Sequence, residues 1–134
     1  MNSNNILETK SQSIKIELKN DVLVHQETFE DTYEMSTPVN GHPSWISSTN
    51  AIWSNPDFPA DWVIGKLDDI GKGFGYIHSE GMFLGQNEWL YWNGSELKTP
   101  KENDIIVECV GREGESCSLL EIEFSLLGLF STDN

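Results

Sequence analysis

Five tryptophans, Trp45, Trp53, Trp62, Trp89 and Trp92, fall within 48 residues of one another and none lies outside that span. Flat aromatic rings can stack on the apolar faces of sugars or anchor protein interfaces, and they can equally fill a core. Alternation within Trp89-Leu90-Tyr91-Trp92 puts Trp89 and Tyr91 on one face of a strand and Leu90 and Trp92 on the other. With so many rings in a small domain, some are expected to stay exposed as a ligand platform drawn from Trp45, Trp53, Trp62, Tyr91 and Trp92. Loop carboxylates Asp57, Asp61, Asp68 and Asp69 are candidates for a calcium site, since hard cations take oxygen ligands without fixed spacing; otherwise no cofactor is expected.

Catalytic groupings are thin. His25, His42 and His78 lie far apart in sequence, and no Gly-x-Ser-x-Gly elbow, phosphate loop or dinucleotide fingerprint is present. Cys109 and Cys117 flank Gly111-Arg112-Glu113-Gly114, which reads as a hairpin turn, so the pair can close a disulfide in an oxidising compartment or remain reduced in a reducing one.

Charge decides among partner classes. With 22 acidic against 8 basic residues the net charge is −14, so nucleic acid and anionic membrane surfaces meet repulsion. A neutral ligand, a cation or a basic protein surface fits better. The start, Met1 to Asn5, carries no basic segment leading into an apolar one, which favours a cytoplasmic over an extracellular setting.

The elements that must position these residues are strands. Ile14, Ile16 and Leu18 alternate with polar neighbours, as do Leu120, Ile122, Phe124 and Leu126 near the other end. Between them the spacing predicts short strands over residues 21–25, 28–34, 44–47, 51–54, 62–66, 74–79, 89–92 and 105–110. Asn40-Gly41, Asn55-Pro56, Gly71-Lys72-Gly73 and Asn93-Gly94 separate them as turn formers. Asp68-Asp69-Ile70 is the one stretch expected to make a helical turn. The expectation is an all-β chain, an antiparallel β-sandwich or barrel with little or no helix. Residues 1–10 read as a flexible arm, 11–130 as one domain and 131–134 as a tail.

Two resemblances bear on function. Lys72-Gly73-Phe74-Gly75-Tyr76-Ile77 resembles the RNP1 hexapeptide of cold-shock domains and RNA-recognition modules, where paired aromatics stack on unpaired bases. The preceding Asp68-Asp69 would meet a phosphate backbone with like charge, and a Gly-aromatic-Gly string also suits a strand crossed closely by a neighbouring backbone, so the likeness is read as coincidental. The series Val39-Asn40-Gly41-His42-Pro43-Ser44-Trp45, Ala51-Ile52-Trp53, Trp62-Val63-Ile64-Gly65, Gly75-Tyr76-Ile77 and Trp89-Leu90-Tyr91-Trp92-Asn93-Gly94 resembles a small Trp-rich β module of multidomain proteins of invertebrates and protists. That resemblance implies a compact, often extracellular, non-catalytic module.

The sequence therefore points to a non-enzymatic binding module whose partner is a carbohydrate or a protein surface. The alternative is a structural subunit, homo-oligomeric or within a larger assembly, that pairs through an edge strand such as residues 13–19. A glycan- or peptide-acting hydrolase and an RNA-binding domain rank below both.

Overall fold

Strict alternation makes Ser13–Leu18 a strand, β1, because Ile14, Ile16 and Leu18 all point to one side and all are buried. The same logic carries through the computed structural model, which describes residues 13–59, 61–80 and 88–110. The further strands are β2 (Asp31–Met35), β3 (Trp45–Ile46), β4 (Asn50–Ser54), β5 (Trp62–Lys66), β6 (Ile77–Glu80), β7 (Glu88–Trp92), β8 (Leu97–Lys98) and β9 (Ile105–Val110). Every pairing is antiparallel, and the order across the sheet is β8-β7-β6-β5-β4-β3-β2-β1-β9. The expected all-β class holds, in the form of a curled half-barrel.

The curl follows from chain length. Lys98 and Ile105 are seven residue steps apart, which span at most about 25 Å fully extended. Nine flat strands at ~4.8 Å spacing would set the outer two nearly 40 Å apart. The sheet must therefore bend until β8 and β9 approach. Its concave side holds the main core, including Ile14, Ile16, Tyr33, Trp45, Trp62, Ile64 and Ile77.

One element departs from expectation. Residues 21–25 read as a strand, yet Asn20–Gln26 forms the helix α1. Asn20 takes a positive φ of 55° directly after β1 and turns the chain. Val22 and Gln26, four residues apart and so on one helix face, are then buried. A helix of seven residues is too short to persist on its own. It is tied across the end of the curl to β7: the Gln26 amide donates to the Trp92 carbonyl at 2.6 Å and the Tyr91 hydroxyl to Asp21.

Smaller shifts have similar causes. The strand expected from residue 28 begins at Asp31 because Glu27–Phe29 is a 3-10 turn, and the one expected from 74 begins at Ile77. The helical turn expected at Asp68 is a 3-10 turn over Leu67–Asp69. β1 is not an edge: it lies between β2 and β9, which corrects the edge-pairing expectation for residues 13–19. The hairpin at 111–114, the strand from Leu120 to Leu126, the arm and the tail lie outside the described residues.

Candidate functional site

Register assigns the tryptophans to two faces. Trp45 pairs with Ile52, and Ile52 with Ile64, so Trp45 joins them on the concave side. Trp62 lies there too, its ring centroid 5.8 Å from that of Trp45 with planes tilted by 57°. Tyr91 is opposite Ile77 on the same side. Trp53 is opposite Val63 on the convex side, yet it is as fully buried as Trp45. Four of the five expected platform residues, Trp45, Trp53, Trp62 and Tyr91, are therefore interior. This corrects the platform: the curl swallows three rings and a covering segment swallows the fourth.

That covering segment contains the first four residues of the hexapeptide, Lys72 to Gly75. Trp53 packs with Ala51 and Val63 under Leu67, Ile70 and Val39, and its indole N–H donates to the Lys72 carbonyl at 2.7 Å. The glycines have a steric reason. A Cβ on Gly75 would stand 2.3 Å from a Val63 methyl and 2.9 Å from the Ile64 carbonyl oxygen, closer than atoms approach. A Cβ on Gly65 would meet the Trp53 ring at 2.9 Å. Tyr76 stacks on Phe29 at 5.3 Å and is half-buried, whereas Phe74 is exposed under Lys72, whose ammonium lies 5.7 Å from its ring. The two aromatics of the hexapeptide thus face different surroundings rather than forming one stacking pair.

Trp92 is the fifth, and it stays open. Register carries the convex face from Trp53 through Val63, His78 and Leu90, and Trp92 lies two residues beyond Leu90. Its register partner is Leu97 on β8, the outermost described strand on that side. Trp92 is 37% exposed and Leu97 45%. The intervening turn is held by Asn93, whose Oδ1 accepts from the Ser95 and Glu96 backbone N–H groups at 2.9 Å each. This tight turn leaves the adjacent wall uncovered.

Sequence reasoning singled out Phe74 only within the hexapeptide, and did not single out Leu97 or the exposed Phe58. Phe58 had a legible signal, standing between Asn55-Pro56 and Pro59 where no strand can bury it.

The candidate metal ligands are scattered. Asp69 pairs with Lys72 at 3.2 Å, Asp57 sits beside Gly73, and Asp61 and Asp68 occupy separate turns. Among the described residues no three His, Cys, Asp or Glu side chains gather as a metal site would require. The histidines remain apart: His25 approaches Asp21 at 3.4 Å, His42 lies in a bridge with Val39, and His78 Nε2 contacts the Gly75 carbonyl at 3.1 Å. Cys109 is disulfide-bonded, while Cys117 lies outside the described residues.

Electrostatics concentrate where α1 meets β7. Burial, followed by the hydrogen bond to Asp21 and the charges of Asp21 and Asp104, pushes the Tyr91 hydroxyl up to about 12. Tyr33, which donates to the Phe29 carbonyl at 2.8 Å, is also raised, chiefly by burial and then by Asp31. Both phenols therefore act as neutral donors. Comparison with family models, with curated proteins and with solved structures finds no match to this chain.

Proposed function

We propose that the chain is a non-enzymatic module that binds a protein surface through the convex wall of β7 and β8, with Trp92 as the anchor and Leu97 beside it. The observation that carries this reading is the exposed cross-strand pair itself, at 37% and 45%, at the margin of the described sheet. An exposed Trp next to an aliphatic residue, with the half-buried Leu90 on the same face, fits the apolar centre of a protein interface. A sugar would ask for polar groups beside the ring, and the amide of the adjacent Asn93 already spends its oxygen on the turn. The net charge of −14 favours a basic partner. Separation of the three histidines supports the non-catalytic part.

The experiment uses tryptophan emission, because Trp92 is the most exposed of the five indoles and its signal is separable by acrylamide quenching. Peptides displaying basic extended segments and a glycan panel are titrated against the wild type and Trp92→Phe, at rising ionic strength. The expected result is protection of the quenchable indole by a basic peptide, weakening with salt and lost in Trp92→Phe. Protection by a glycan that is insensitive to salt would replace the protein reading with a lectin-like one.

A further inference from the structure

At the end of the curl where α1 meets the β8–β9 connection lies a cavity of about 640 Å³, within the size range of small-molecule sites. Its lining joins Asp21 and Asp104 with Tyr91, Asn20, Lys98 and Lys101. Asp104 is only 4% exposed. Its side chain receives a hydrogen bond from Asn20 Nδ2 at 2.8 Å, a neutral donor, and among the described residues no Lys, Arg or His lies within ion-pair distance. A buried carboxylate without a cation is costly, by several kcal/mol in general, which is why such groups are normally paired. The nearby cations do not fulfil this role: Lys98 and Lys101 are exposed and make no ion pair among the described residues, although they line the same cavity. Asp21 adds a second carboxylate, held in place by the Tyr91 hydroxyl on one oxygen and by His25 at 3.4 Å from the other.

Charges of both signs thus face one cavity without neutralising each other. We propose that this cavity binds a small zwitterion of amino-acid to short-peptide size, its ammonium group on Asp104 and Asp21 and its carboxylate on Lys98 and Lys101. A bare cation would leave the lysines unmatched, and a bare anion would meet Asp104. Tyr91 orients Asp21, and Asn20 orients Asp104, so both carboxylates are preorganised before the ligand arrives. The site is separate from the Trp92 wall: Tyr91 and Trp92 point to opposite faces of β7.

The test is backbone-amide NMR of the full chain titrated with pools of free amino acids and short peptides at millimolar concentration, with ethylammonium and propionate as half-ligands. Binding should shift amides around Asn20, Asp21 and Lys98 to Asp104, and each half-ligand should bind about ten-fold or more weakly, as expected when a charged hydrogen bond is lost. Asp104→Asn keeps the shape and removes the buried charge. It should melt no lower than the wild type and lose the response by about ten-fold or more. Lys98→Gln combined with Lys101→Gln alters only exposed side chains and should weaken zwitterions while leaving ethylammonium unchanged. No amide response to any zwitterion, an undiminished response in folded Asp104→Asn, or ethylammonium binding as tightly as the zwitterion would each overturn the proposal.

Discussion

On the convex side of the sheet, Trp53 on β4 and Trp92 on β7 share one face by register and have opposite surroundings. Over β4 and β5 the chain returns after the 3-10 turn at Leu67 and lays residues 67–75 on the wall, so that Trp53, Ala51 and Val63 become a second small core. Over β7 and β8 the connection is a tight turn that bonds to itself through Asn93, and the wall stays open at Trp92 and Leu97. Strand register fixes which way a side chain points. Loop length and the presence of glycine decide whether anything covers it.

The largest effect should come from emptying the covered wall. Trp53→Ala removes a fully buried ring and the hydrogen bond to the Lys72 carbonyl, and should cost about 3–5 kcal/mol in urea-induced unfolding. A loss below about 1 kcal/mol would mean that the 67–75 cover collapses onto the wall, or contributes little. Gly75→Ala attacks the same packing from the cover's side. Its methyl would overlap Val63 and the Ile64 carbonyl, so a cost of about 3 kcal/mol is expected, at the upper end for overpacking, because one of the contacts is backbone. Gly94→Ala, in the turn beside the open wall, is the control. There φ is 99° but no described atom lies within 4 Å, so only the conformational term of about 1–2 kcal/mol remains.

These pairs show what was readable beforehand. Short apolar runs between turn formers located β5 and β9 to the residue, and the period-two alternation of β1 supported the all-β class, because both signals are set locally by each strand. It could not separate Trp53 from Trp92, since both lie on the convex face and the difference is made by a segment elsewhere in the chain. Trp45 and Trp62 were misread for another reason: their burial comes from curl, a property of all nine strands and of the short β8–β9 link. The helix at Asn20–Gln26 escaped notice because Asp21-Val22-Leu23-Val24-His25 has strand-like side chains and no side-chain cap; contacts with β7 hold it. The hexapeptide was assigned to packing from charge, and Gly75 supplies the steric reason.

A fourth perturbation, similar in size to the glycine control, acts where concave side and helix meet. Tyr91→Phe removes the donor to Asp21 and should cost about 1–2 kcal/mol at neutral pH, since Asp21 is partly solvated. It also has a pH signature. Tyr91 ionises near 12 in the folded chain against an ordinary 10.0, so the stability it contributes is complete below pH 10 and is lost as pH rises from 10 towards 12. The variant should lose stability less steeply across that window. Among the described residues the remaining slope belongs to Tyr33, which is raised as well and stays in place. Equal slopes in urea midpoints across the window would show that neither burial nor Asp21 holds the phenol neutral.

The smallest stability effect is expected at the open wall, and there it carries the functional argument. Trp92→Ala and Leu97→Ser change side chains that are more than a third exposed, so unfolding midpoints should move by only about 0.5 kcal/mol. The Trp92 backbone carbonyl still accepts from Gln26 in both variants, so α1 keeps its tie to β7. A structural role for Trp92 would appear as a loss approaching that of Trp53→Ala. A binding role leaves stability alone and removes the salt-dependent protection by basic peptides, with Trp92→Ala the more severe because the indole supplies most of the contact area. Under the proposed function, stability and binding should move in opposite order at the two walls: the covered ring matters to folding, and the open one would matter to a partner.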